Sequence, residues 1–161
     1  MKWRSGALVA AMVLVLAACG GKTEPEQTYF GFSKTEFPVV KEVDTHGGFH
    51  GDGAYSLILD CSQKPEQAET LVSGWMELPL PENLSLILYG GERDGVLYGY
   101  DLAEEAGFPV VEHGWYRFCD RHGESTEPED ASALFDRSSY NFSLGIYDGD
   151  TDQLYYFEYD T

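Results

Sequence analysis

The stretch NFSLGIYDGDTDQLYYFEYDT, residues 141–161, decides the fold. Apolar-rich runs at 140–147 and 154–159 flank a polar centre, and in the second run Tyr155, Phe157 and Tyr159 share one face of an extended chain. Aromatic residues at alternate positions suit a pleated, half-buried surface. Between the runs, Asp148-Gly149-Asp150-Thr151-Asp152 makes a five-residue hairpin connection. Acids at alternate positions also begin a calcium loop. Here, however, the sixth position falls on Gln153, where Gly is needed, and the twelfth on Tyr159, where a bidentate Glu is needed. The C-terminus is therefore expected to be two antiparallel strands.

The same pattern extends through the chain. Residues 55–61 set Tyr55, Leu57, Leu59 and Cys61 on one face and Ser56, Ile58 and Asp60 on the other. PVVKEVDT at 38–45 is a partner strand, joined to it through the Gly-rich DTHGGFHGDG at 44–53, where Asp52-Gly53 signals a turn. LSLILY at 84–89 and residues 115–119 complete the expected strands. Three short helices punctuate them. Residues 65–73 begin with Pro65 in the first turn and space Ala68, Leu71 and Val72 at helical intervals. Residues 101–106 have Asp101 as N-cap, with Gly107 and Pro109 as stops. Residues 127–135 follow a Thr126/Glu129 capping box and set Ala131, Leu134 and Phe135 on one face. Helices this short do not build regular βαβ units. The expected fold class is α+β: a mainly antiparallel sheet of about five or six strands, with one principal helix and one or two short helices on one face. An all-β sandwich is the alternative.

The first 18 residues are a processing segment. Lys2 and Arg4 precede an apolar run from 6 to 16, and the small residues Ala17 and Ala18 lead to Cys19. Charge, apolar core and small-residue cleavage zone are the layout of a signal peptide, and the run is shorter than the ~20 residues a spanning helix needs. Leu16-Ala17-Ala18-Cys19 resembles the lipobox of bacterial lipoproteins. The resemblance implies that Cys19 carries a lipid, that cleavage falls just before it, and that the protein sits on the extracytoplasmic face of a bacterial membrane, held by acyl chains. Two or more such chains anchor stably where one does not. The residues divide into 1–18 as signal peptide, 19–28 as lipidated Cys and tether, and 29–161 as one globular domain.

The 161-residue chain has 28 acidic and 10 basic residues, a net charge of −18. Without Lys2 and Arg4 the mature chain carries 8 basic residues against 28 acidic, a net of −20. Nucleic acid is excluded as a partner, because phosphate neutralisation needs clustered Lys and Arg. An anionic lipid surface repels such a domain, so the membrane is a partner only through the anchor. With 43% of residues apolar and 14% aromatic, the chain is a folded domain rather than a disordered one.

Candidate site residues are few. His46, His50 and Asp52 are metal-competent side chains within a stretch that holds two of the four His, which makes a divalent metal a candidate cofactor. Their spacing matches no zinc motif, and a Gly-rich hairpin loop accounts for the same residues. Cys61 and Cys119 end two apolar runs and are candidates for a disulfide outside the cytoplasm; buried free thiols are the other reading. Arg117, Arg121 and Arg137 are expected in surface pairs with acids such as Asp120 and Asp136, each contributing under ~1 kcal/mol. The sequence contains no G-x-S-x-G elbow, P-loop, GxGxxG, HExxH or SxxK motif. No residue is assigned a catalytic role.

The mature domain also resembles a group of small secreted or lipid-anchored bacterial proteins to which no activity is attached. The similarity lies in DTHGGFHGDG at 44–53, LPLPENLSLILYGG at 78–91 and the C-terminal stretch. The expected function is a lipid-anchored extracytoplasmic domain that binds a protein, peptide or glycan, or serves the cell envelope as an accessory. Two alternatives stand beside it. One is a metal-binding or metal-dependent hydrolytic lipoprotein using His46, His50 and Asp52; the other is an acidic inhibitor or immunity-type protein for a basic partner.

Overall fold

A computed structural model describes residues 26–47 and 51–161. Six strands form one sheet in the order β1-β2-β8-β7-β6-β3, every neighbouring pair antiparallel. They are β1 (Val39–Asp44), β2 (Gly53–Asp60), β3 (Met76–Glu77), β6 (Gly114–Asp120), β7 (Asn141–Asp148) and β8 (Gln153–Asp160). A separate hairpin pairs β4 (Gly91–Arg93) with β5 (Val96–Tyr98). Helices α1 (Pro65–Val72), α2 (Glu82–Tyr89) and α3 (Leu102–Ala106) are short. The α+β class and the mainly antiparallel sheet stand as expected.

The C-terminal hairpin is the centre of this sheet. β7 and β8 pair in unbroken register from Asn141↔Asp160 to Asp148↔Gln153. Strand alternation sends Phe142, Leu144, Ile146, Tyr155 and Phe157 into one apolar cluster, and Tyr147, Leu154 and Tyr156 into another. Central strands are covered on both faces, and the helices divide between them. α2 and α3 lie over the first cluster; α1, Trp75 and the aromatic segment Phe30, Phe32 and Phe37 lie over the second. The single helical face expected from sequence is thus two faces.

Gly145 permits this second covering. A Cβ there would stand 2.7 Å from the Trp75 ring and 2.9 Å from the Phe30 ring. Phe30 meets Trp75 and Tyr156 edge-on, with centroids 5.8 and 5.1 Å apart. This packing draws the start of the chain into the fold. Glu26–Phe30 form a helical turn in which Glu26 is 5% exposed. Residues 26–28, placed in the tether by the sequence reading, lie in this turn.

Two elements differ from expectation. Residues 84–89 are the helix α2, not a strand. Leu84, Leu86, Ile87 and Leu88 are all buried, so a run apolar at nearly every position satisfies both periods. Pro81 immediately before the first turn, Glu82 within it and Gly90 at φ 69° after it set the helical choice. Residues 127–135 do not form an α-helix; a 3₁₀ turn spans Leu134–Asp136. The Pro128 carbonyl accepts the Asp120 N–H at 2.7 Å, which holds this segment along β6. Asp130 accepts from the Ser132 N–H at 2.8 Å and so makes a local turn. Ala131 and Leu134 still reach the core.

Candidate functional site

The polar end of the sheet is built by register. Along one face Tyr55 lies across from Glu158, Glu158 from Ser143, and Ser143 from Cys119. One step further, Asp160 lies opposite Asn141. The apolar pattern of this face stops at Tyr156, and charged side chains replace it.

Asp160 is the hub. Arg121 donates to its two carboxylate oxygens at 2.9 and 3.1 Å and to the Phe142 carbonyl at 3.1 Å. Glu158 stands 3.7 Å from the same guanidinium. Asn141, with its amide oriented to donate, reaches Asp160 at 3.0 Å. His46 closes the array: Nε2 is 3.1 Å from Asp160 and Nδ1 is 2.8 Å from Asp44. The His46 N–H also donates to Asp44 at 2.9 Å. That backbone bond first, and the ring second, hold the Asp44 carboxyl below its usual range. A cleft of about 300 Å³ opens beside this array, lined by Glu26, Lys34, Glu42, Asp44, His46, Tyr55 and Glu158. Lys34 and Tyr55 both donate to Glu42, at 2.6 and 2.9 Å, and these bonds lower its pKa. Burial, and then the Glu42 bond, push the Tyr55 hydroxyl up.

Of the two described residues of the candidate metal set, His46 and Asp52, His46 enters this array. Asp52 is exposed, and His50 lies outside the described residues. Both His46 ring nitrogens face carboxylates within β1 and β8, and this turns the ring to the sheet. Among the described residues, no group of three or more His, Cys, Asp or Glu side chains is placed to hold a metal ion. β1 and β2 pair as antiparallel neighbours, and just beyond β1 the Thr45 N–H donates to the Ala54 carbonyl at 2.8 Å. The acids of the terminal hairpin serve their own turn: Asp148 accepts from the Asp150 N–H and the Thr151 hydroxyl, and Asp152 accepts from Tyr147.

Cys61 and Cys119 are free, buried thiols. Of the two sequence readings, disulfide or buried free thiols, it is the second that the structure has. β8 and β7 separate their strands, and the register places Cys119 in line with Tyr55 at the other end of β2 from Cys61. Three strand spacings alone come to roughly 14 Å, against a limit of about 7 Å between bridged Cα atoms. Burial pushes the Cys61 thiol up to about 12, with the charges of Asp60 and Asp152 adding to it. Burial also raises the Cys119 thiol. Cys19 lies outside the described residues.

The arginines correct a further expectation. Arg137 and Asp120 form a bidentate pair at 2.7 and 2.8 Å with side chains only 13% and 4% exposed, so this pair is buried rather than superficial. Arg121 is buried to a similar degree on Asp160. Arg117, by contrast, meets Glu129 at 3.2 Å in a solvent-exposed pair.

Sequence reasoning missed Arg121, Glu158 and Asp160 as a group. Asp160 and Glu158 end a strand whose other positions on that face are apolar, and this break in alternation was the available signal. No protein-family model, no curated protein and no solved structure matches the chain.

Proposed function

We propose that this chain is a lipid-anchored extracytoplasmic bacterial domain with a non-catalytic binding or envelope-accessory role. The observation that carries the reading is the leader, in which Leu16-Ala17-Ala18-Cys19 follows a basic start and a short apolar run. The fold adds a spatial argument. The first described turn begins at Glu26, and six residues, 20–25, lie between it and Cys19 in the sequence. Six residues span at most roughly 20–22 Å, which would hold the domain against the membrane surface. Glu26 also lines the acidic cleft, so that end of the sheet would face the lipid. With a mature charge of −20 the protein body would be repelled by anionic headgroups, and the anchor would supply the attachment. Binding is favoured over catalysis because the charged groups at the polar end engage one another. His46 has a carboxylate at each ring nitrogen, and Arg121 is held by Asp160.

The test is membrane fractionation with and without Cys19→Ala, together with globomycin treatment of the unaltered chain. The expected result is a membrane-bound wild-type protein that accumulates as uncut precursor under globomycin, and a variant that is not lipidated. Unchanged fractionation and processing in both experiments would refute the anchor.

A further inference from the structure

β1 is an open edge of the sheet. It pairs with β2 alone, and all six of its residues are exposed, Val39 at 47%, Val40 at 56% and Val43 at 37%. In an antiparallel strand, alternate residues send their N–H and C=O groups to opposite sides. Thr45 N–H donates to the Ala54 carbonyl and Asp60 N–H to the Pro38 carbonyl, so the even-numbered residues of β2 face β1. They meet Lys41, Val43 and Thr45 there. Glu42 and Asp44 therefore send their backbone groups outward, and among the described residues no backbone group meets them on that side. Lys41 Nζ donates to the Ala106 carbonyl at 3.0 Å, which ties this edge to α3.

Charge selects what can pair here. Glu42 and Asp44 stand on the face of Leu57 and Tyr55, and Val43 stands on the opposite face across from Ser56. The cleft of about 300 Å³ opens on the first face, where Glu26, Glu42, Asp44 and Glu158 outnumber Lys34 and His46. A second copy of the chain is repelled. A two-fold pairing of β1 with itself, centred on Glu42 or on Asp44, sets that acid opposite its own copy. One centred on Val43 sets Glu42 opposite Asp44, and like charges directly opposite are destabilising. We propose that β1 takes an extended segment of a partner protein, docked as an added strand with Lys or Arg opposite Glu42 and Asp44 and an apolar residue opposite Val43. Strand addition supplies main-chain hydrogen bonds, and alternate side chains supply selectivity. Opposite charges across the strands favour this basic–apolar–basic pattern and exclude an acidic strand. The register shift between Val39 and Lys41 breaks the ladder at one end and confines docking to the Glu42–Asp44 end.

This docking rests on the binding role proposed above and names its partner class, and its experiment is independent of the anchor. The probe is a pool of nine-residue peptides with Lys at positions 4 and 6 and Val, Ile, Thr or Tyr elsewhere. It is titrated into the full chain carrying Cys19→Ser. Controls are the same pool N-methylated at positions 4 and 6, and a pool with Glu in place of Lys. The expected result is amide NMR shifts centred on residues 41–45, with hydrogen exchange at Glu42 and Asp44 slowed about tenfold or more. Neither control pool should produce it. The double variant Glu42→Gln/Asp44→Asn, checked for an unchanged circular dichroism spectrum, should bind the Lys pool about tenfold more weakly. Each of the following overturns the proposal: no response at about 5 mM peptide, where even a millimolar complex forms; equal shifts with the N-methylated or the Glu pool; shifts spread over the acidic surface; or unchanged affinity in the double variant. Two results obtained before peptide is added also overturn it. Protected Glu42 and Asp44 amides in the monomer would give the edge to another part of this chain, and a dimer forming on concentration through β1 would give it to a second copy. Failure here leaves the fractionation result standing, and failure of fractionation leaves the peptide result standing.

Discussion

Replacing Asp120 by Ala should destabilise the domain by about 3–5 kcal/mol, the range for removing one partner of a buried ion pair. The geometry sets this size. Asp120 closes the end of β6, and its carboxylate, 4% exposed, receives two hydrogen bonds from Arg137 at 2.7 and 2.8 Å. It also receives the His122 N–H at 3.1 Å. Without the carboxylate, a guanidinium that is 13% exposed loses its partner in a site too enclosed for full hydration. The segment between the two residues, which contributes Ala131 and Leu134 to the core, then loses its tie to the sheet. A surface pair would show under ~1 kcal/mol instead. Urea unfolding followed through tryptophan fluorescence measures the difference, since Trp75 and Trp115 both pack in one core cluster. The double variant Asp120→Ala/Arg137→Ala should recover ~2 kcal/mol relative to the sum of the single variants, because it leaves no unpaired charge. A loss below ~1 kcal/mol for Asp120→Ala, or strict additivity in the cycle, would refute the reasoning.

Three further outcomes follow from the same structure. Gly145→Ala should cost about 1–3 kcal/mol and alter the near-ultraviolet circular dichroism of Trp75, because the new methyl falls 2.7 Å from the Trp75 ring; unchanged stability would show that the aromatic cover does not press on β7. Cys61 and Cys119 should resist alkylation at pH 8 in the folded protein and react fully in urea, since both are buried and the Cys61 pKa is pushed up to about 12; a Cys61–Cys119 disulfide in a non-reducing peptide map would overturn the assignment of free thiols. His113 should titrate above the ordinary imidazole value because Asp150 accepts its Nδ1–H at 2.9 Å, and Asp150→Asn should lower it. With the folded pKa raised, the contact contributes fully below the unfolded value of about 6.5 and is lost as pH rises through the folded value. An NMR titration in which Asp150→Asn leaves the His113 midpoint unmoved would exclude the contact.

The strands that alternate cleanly were legible. β2 and β8 each place apolar residues at every second position, and the Gly- and Asp-rich connections beside them carry turn chemistry that needs no tertiary partner. Helices α1 and α3 were legible for the same kind of reason, through Pro65 at one start and Gly107 at φ 79° after one end. α2 was not, because LSLILY is apolar at nearly every position and satisfies both periods. The hairpin β4–β5 turns through Asp94 and Gly95, both at positive φ; that dipeptide is a hairpin signal, but strands of three residues are too short to show alternation. At 127–135 a capping-box spacing was present, yet the carbonyl of Pro128 and the side chain of Asp130 found other partners.

The sequence by itself determined the acidity, the basic start and apolar run that precede Cys19, and a core of alternating strands. These rest on composition and on patterns a few residues long, which act wherever the chain goes. The tertiary structure decided which charges meet. His46, Arg121 and Asp160 come from three separate parts of the chain, and only the strand order β2-β8-β7-β6 carries them to one end of the sheet. The same order keeps Cys61 from Cys119 and buries Arg137 on Asp120. Pairings of this kind depend on distances across the sheet, and a linear pattern of residues does not encode them until the register is set.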